Sequence, residues 1–232
     1  MEALSQTLQP HKEFVGQVAS IVTIAQFFSG VFVCKDIYKK GTTKGTPATP
    51  FIGGIVIGSL MLKHGLLLND AAMLQVNIAA ILLNIIYTVF YYLYSPEKYK
   101  DVLKPLGIGA TLIAIFLGYA EWEEPSNLEY RYGLIVTILM LLLLGSPLLD
   151  VKEIIQKQDA SAIPFPLTFM GTIVTFLWLL YGVILLNDFM IIQNVIGFAL
   201  CLVQLILIFR YPGRPTVPTG QKTKTKKSVK RD

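Results

Sequence analysis

Charge is what this chain has least of. Only 15% of its 232 residues are Asp, Glu, Lys or Arg, whereas 53% are apolar and the mean hydropathy is +0.58. A soluble domain of this length has no use for so much apolar surface; a chain that crosses a bilayer several times does. Cysteine is equally scarce. Cys34 and Cys201 alone support no disulfide framework and read as small packing residues. There is no Asn-x-Ser/Thr sequon. No basic stretch precedes the first apolar run, so a cleaved signal peptide is not expected. No nucleophile arrangement, metal-ligand cluster or phosphate-binding loop appears, so neither catalysis nor a cofactor or metal is expected.

What the chain does have is seven long apolar runs, at about 14–34, 50–68, 71–94, 102–120, 132–149, 164–186 and 189–209. Each can cross a ~30 Å hydrocarbon core at ~1.5 Å per residue. The runs are continuous rather than alternating, which excludes transmembrane β-strands. Basic residues set the orientation. The segments after runs one, three and five, with the C-terminal tail, hold 17 of the 20 Lys and Arg residues. The opposite side holds Lys12, Lys63 and Arg131, so the N-terminus is outside and the C-terminus inside. The net charge of +5 is therefore topological, and no nucleic-acid partner is expected. Residues 212–232, rich in Pro, Thr and Lys, read as a disordered basic cytoplasmic tail within reach of anionic lipid.

The apolar runs also repeat themselves. Met61, Gly65, Asn69-Asp70 and Asn77 in one half correspond to Trp178, Gly182, Asn187-Asp188 and Asn194 in the other, 117 positions later. In both copies Met61 or Trp178 precedes the glycine by four positions, and the glycine precedes the final Asn by twelve. Pro50 and Pro164 each open an apolar run after a short loop. Three runs form an odd number, so two such units in direct tandem would face opposite ways. The unpaired fourth run corrects this, and the two units then lie parallel. The expected architecture is an all-α integral membrane fold. Seven transmembrane helices form two parallel three-helix repeats, 14–94 and 132–211, joined by a linker helix at 102–120 (3+1+3). Two half-walls with matched polar positions, facing one pathway, make a transporter the leading reading.

The residues at these positions resemble the SWEET family of sugar transporters. The resemblance runs from Phe14 to Tyr211 and rests on several stretches. These are Thr46-Pro47-Ala48-Thr49-Pro50-Phe51, Ser146-Pro147-Leu148, Ala162-Ile163-Pro164-Phe165, Trp178-Leu179-Leu180-Tyr181-Gly182 and Gln193-Asn194-Val195-Ile196-Gly197. The K-K-G-T-T-K-G loop and the paired repeats look like an animal member. The resemblance implies passive, bidirectional movement of mono- or disaccharides by alternating access. The family it resembles uses both plasma and internal membranes, and the plasma membrane is expected here in preference to the Golgi or another endomembrane. Sugar and lipid bilayer are the expected partners; a homo-oligomer is compatible with a pathway that one chain already encloses.

Four residues form the candidate binding site. Asn77 and Asn194 occupy corresponding positions, and each amide offers two donors and an acceptor to sugar hydroxyls. The competing reading, polar glue between helices, suits an isolated Asn such as Asn84 better than a matched pair. For Trp178 the resemblance implies stacking on the sugar ring, the alternative being an anchor at the membrane interface. Its first-repeat counterpart, Met61, is a flexible thioether that cannot stack as a plane does. The resemblance further implies a hinge set of Pro50, Pro147 and Pro164, with Gly30 at the fourth position. Proline removes a backbone donor and makes a point where a bundle can bend. Pro47 reads only as a helix-entry proline. An outer gate is expected from His64 against Asp188 and, across the pseudo-axis, Tyr181 against Asp70. Protonation would strengthen the His64–Asp188 contact; ordinary interfacial polar residues beside Lys63 are the alternative.

No Asp, Glu, Lys or Arg lies deep in any run, Lys63 and Lys104 being near run ends. Ion-coupled carriers place ionisable groups within the membrane, so their lack favours a uniporter over a proton-coupled carrier of the related PQ-loop type. A seven-helix receptor shares the topology but accounts for neither the duplication nor the short loops. A retinal protein would need a lysine in the last run, and 189–209 has none.

Overall fold

The computed structural model describes residues 1–161 and 163–212, and within that range leaves out the side chains of 144–150, 152 and 153. Ala162 and residues 213–232, nearly all of the tail expected to be disordered, thus lie outside the described residues. Helices account for nearly all of the rest: α1 (Glu2–Leu8), α2 (Lys12–Phe27), α3 (Ser29–Lys40), α4 (Thr49–Leu67), α5 (Ala71–Tyr94), α6 (Lys104–Trp122), α7 (Pro125–Lys157), α8 (Phe165–Leu185) and α9 (Asp188–Arg210). A single 3₁₀ turn, Gln9–His11, joins α1 to α2, and a π turn, Tyr99–Leu103, leads into α6. Seven of these helical stretches are long and apolar enough to cross a membrane.

Two boundaries differ from the sequence expectation. The first span is part of a longer helical path, Glu2–Lys40, interrupted at Phe28. The fifth begins at Pro125, seven residues before the apolar run, because a proline in the first turn loses no hydrogen bond that the helix needs.

Each repeat packs in the same order. In the first, α5 lies between α2/α3 and α4; in the second, α9 lies between α7 and α8. The repeats meet where α2 packs on α8 and where α4 packs on α7, so six spans close into a ring while α6 sits outside against α4. Burial follows from this arrangement. On α5, Ile78, Leu82, Ile85, Ile86, Val89 and Leu93 are exposed along one face, while Met73, Val76, Asn77, Ala80, Tyr87 and Tyr91 are buried on the other. An apolar outer stripe with the polar residues turned inward is the pattern that a bilayer selects.

The turns between the second and third spans of the two repeats have the same backbone. Asn69 and Leu186 are both left-handed, at φ 49° and φ 53°. Each is followed by a capping residue whose side chain accepts a backbone N–H three positions on: Asp70 from Met73, and Asn187 from Met190. Asparagine tolerates the left-handed region; leucine does not. Leu186 is 47% exposed, so little packing depends on it. Leu186→Asn is therefore expected to stabilise the fold by about 0.5–1 kcal/mol, read as a raised melting temperature in detergent.

Candidate functional site

The ring of helices encloses a cavity of about 760 Å³, within the range of small-molecule sites. Both repeats line it. The first contributes Thr23, Gln26, Gly54, Met61, Asn77 and Asn84, and the second Thr175, Trp178, Gln193 and Asn194. The lining reaches Pro47, Thr49 and Pro50 at the end that charge assigns to the cytoplasm, and His64 and Met190 toward the outside. Among the described lining residues, His64 is the one ionisable side chain.

Asn77 and Asn194 are held in matching poses. Asn77 Nδ2 donates to the Met73 carbonyl at 2.8 Å, and Asn194 Nδ2 donates to the Met190 carbonyl at 2.8 Å. Each bond uses one amide N–H and leaves a second N–H and the oxygen for other partners. Asn84 repeats the arrangement toward the cytoplasm, with Nδ2 donating to the Ala80 carbonyl at 2.8 Å, and it lines the same cavity. A Cβ at Gly54 would lie 2.5 Å from that Nδ2, so glycine there makes room for the amide. At the corresponding positions of the second repeat stand Gly171 and Cys201.

Trp178 is fixed across the repeat interface, its Nε1 donating to Thr23 Oγ1 at 2.9 Å and its ring lying edge-on to Tyr181 at 5.8 Å. Thr23 in turn donates to the Ala19 carbonyl at 2.6 Å. The indole is thus tied within the bundle, and Met61 packs into the same apolar cluster. Sequence reasoning passed over Thr23, Gln26 and Gln193. The first two belong to a stripe of polar residues at every third position of the first run, Gln17, Ser20, Thr23, Gln26 and Ser29, which was the available signal. Gln193 is buried and donates to Thr137 Oγ1 at 2.6 Å.

The outer end of the cavity is asymmetric. Tyr181 OH donates to Asp70 Oδ2 at 2.6 Å, and its ring lies against Gly16, which Ala72 of the same apolar cluster also borders. Each of these residues has a counterpart 117 positions away: Tyr181 with His64, Gly16 with Gly133, Ala72 with Phe189, and Asp70 with Asn187. The caps described above make Asn187, rather than Asp188, the structural equivalent of Asp70. This arrangement differs from the expected pairing of His64 with Asp188. Asp188 is the exposed first residue of α9, and neither nitrogen of His64 has a hydrogen-bond partner. Phe189 fills the space left by the smaller imidazole, its ring 6.5 Å from that of His64. One half of the rim is thus hydrogen-bonded and the other is packed with aromatic rings.

The expected hinge residues lie at different points of their helices. Pro50 lies in the first turn of α4, and Pro164 caps α8 in an extended conformation. Both punctuate helix starts, where proline costs no backbone bond, rather than weakening a helix interior. Pro47 lies before α4 in the loop, and Pro50 is the helix-entry proline. The helix passes through Pro147, whose side chain is outside the described residues. Gly30 does lie at a break, one residue beyond the start of α3.

Outside the cavity, Lys63 Nζ bonds Glu121 Oε1 at 2.7 Å, and Arg131 bonds Glu123 at 3.0 Å. The Tyr119 hydroxyl also donates to Glu123. Hydrogen bonds from Tyr119 and then Arg131 hold the Glu123 carboxyl below its usual value of 4.5. A depressed carboxylate pKa adds stability above the unfolded value and loses it as pH falls through the folded one. Glu123→Gln is therefore expected to lower the melting temperature at neutral pH. The difference should close only below about pH 4.5, the usual value given above; a gap that closed by pH 6 would contradict this reading.

The fold and cavity define a class: a seven-helix membrane protein built from two parallel triads around a central, largely uncharged compartment. A family model described as a sugar efflux transporter for intercellular exchange matches the chain twice, over residues 13–99 and 131–216. The chain belongs to this family, the SWEET sugar transporters. It is 29% identical over 212 residues to a sugar transporter SWEET1 of Drosophila pseudoobscura pseudoobscura, covering 90% of this chain and 94% of that one. It is 32% identical over 206 residues to a Caenorhabditis elegans sugar transporter SWEET1, covering 87% and 68%. A solved structure of a eukaryotic SWEET transporter superimposes with a TM-score of 0.79 at 19% identity, covering 88% of this chain and 98% of that one.

Proposed function

We propose that this protein is a facilitative, bidirectional uniporter for a neutral mono- or disaccharide, working by alternating access around the cavity between the repeats. The observation that carries this reading is the matched pair of fixed carboxamides, Asn77 and Asn194, in a compartment otherwise lined by apolar and uncharged side chains. Amides suit hydroxyl groups, and Trp178 and Met61 supply an apolar surface for the C–H face of a pyranose. The cavity extends to Pro47 and Pro50 while Tyr181 and Asp70 are joined at the outer end, a geometry suited to loading from the cytoplasm. Exchange of the Tyr181–Asp70 bond for closure near Pro50 would expose the same residues outward. The sugar transport named for the relatives agrees with this reading, and plasma-membrane residence fits it best.

The test is uptake of radiolabelled glucose into proteoliposomes, with and without a proton gradient. Saturable equilibration that ignores the gradient is the expected result. Uptake that required the gradient would make His64, the ionisable group in the lining, a candidate coupling site and would overturn the uniporter reading.

A further inference from the structure

A second cavity, of about 710 Å³, lies outside the ring between α4, α6 and α7. Its lining is apolar except for Thr49, Lys100 and Lys104, which sit together at the cytoplasmic end. We propose that this groove binds one anionic phospholipid of the cytoplasmic leaflet, its phosphate between the two lysines and an acyl chain along the trough.

Length supports the assignment. The lining runs from Thr49 to Leu60 on α4 and from Lys104 to Phe116 on α6. At ~1.5 Å per residue each stretch is about 17 Å long, close to one leaflet of a ~30 Å core. The walls face the bilayer, with Ile108, Leu112 and Leu142 exposed. Charge supports it independently. The π turn Tyr99–Leu103 puts Lys100 and Lys104 at one mouth. There the first turn of α4 adds the partial positive charge of a helix N-terminus. Lys104 has no ion-pair partner among the described residues. Lys100 meets Glu97 at 3.3 Å with both side chains exposed, a weak pairing that a phosphate can displace. The nearby carboxylate of Asp101 is engaged by the Ser95 hydroxyl at 3.0 Å. A second copy of the chain fits the groove poorly, because its own basic cytoplasmic rim would meet these lysines.

Native mass spectrometry of the full chain tests the proposal, using dioleoyl phosphatidylglycerol against dioleoyl phosphatidylcholine. A high-salt wash first strips lipid attracted by the basic residues beyond 212. Wild type should retain one phosphatidylglycerol with a preference on the order of tenfold, the scale expected of two basic groups near an anionic headgroup. Lys100→Gln/Lys104→Gln should bring the preference to within about twofold while chain binding persists. Leu112→Trp, which fills the trough, should lose both lipids at an unchanged melting temperature. Equal retention of the two lipids by wild type would overturn the proposal. So would an undiminished preference in the double variant, or a dimer that forms as lipid is removed and is broken by Leu112→Trp.

Discussion

Alanine at Asn77 or at Asn194 is expected to reduce sugar transport by about fivefold or more while leaving the melting temperature unchanged or slightly raised. The two effects separate because the asparagines contribute almost nothing to the fold. Each spends one N–H on a carbonyl four residues back in its own helix, and alanine is the better helix former. Toward a sugar, by contrast, each carboxamide offers a donor and an acceptor in a compartment sparse in polar groups. Two neutral hydrogen bonds at ~0.5–1.5 kcal/mol each amount to about fivefold to 150-fold. Asn84→Ala should give a smaller loss, because that amide lies toward the cytoplasmic end of the cavity and has no partner in the second repeat. Transport and melting temperature, measured on the same preparations, decide the matter. If both fell together at Asn77 and Asn194, the pair would be structural glue between helices and the binding site would lie elsewhere.

The helical spans and the 3+1+3 plan were legible because bilayer thickness sets run length and a repeat of 117 positions exposes duplication. The same offset brings Asn77 and Asn194 into equivalent poses. What escaped the sequence was register over one residue and partnership across helices. Asn69-Asp70 and Asn187-Asp188 look alike as dipeptides, yet the constant offset pairs Asp70 with Asn187, and backbone capping follows the offset. The exchange of Tyr181 with Ala72 for His64 with Phe189 is a volume compensation between non-adjacent positions, which no periodicity reports. Asn84 was undervalued because it lacks a mate, and Gly54 because its meaning depends on the amide opposite it. The prolines are hard to read for a related reason. Their chemistry is the same at a helix start as in its interior, and only the helix boundary distinguishes punctuation from a hinge.

Any side chain at Gly30 is expected to destabilise the protein by about 2–3 kcal/mol, and proline, which the family resemblance implies at this position, should be worse. A Cβ there would stand 2.3 Å from Tyr87 Cε2 and 2.6 Å from its Cδ2. The ring cannot easily yield. It is 5% exposed, packs on Phe51 at 5.4 Å, and its hydroxyl donates to the Phe27 carbonyl at 3.2 Å. That carbonyl belongs to the break itself: α2 ends at Phe27, and Val31 N–H turns back to the Phe28 carbonyl at 3.0 Å. Where a proline would interrupt the helix by lacking an N–H, this chain seats an aromatic hydroxyl in the interruption, and glycine supplies the space. The pair should therefore be strongly coupled. Gly30→Ala and Tyr87→Ala should each destabilise, the second by about 3–5 kcal/mol through the cavity it leaves. The double variant should be no worse than Tyr87→Ala alone, because with the ring gone the new methyl obstructs nothing. Tyr87→Phe keeps the obstruction and removes only the hydrogen bond, so it should cost about 1 kcal/mol and should not rescue Gly30→Ala. Additive losses in the Gly30→Ala/Tyr87→Ala double variant would mean that the ring is not the obstacle, and that the break at Phe28 has another support.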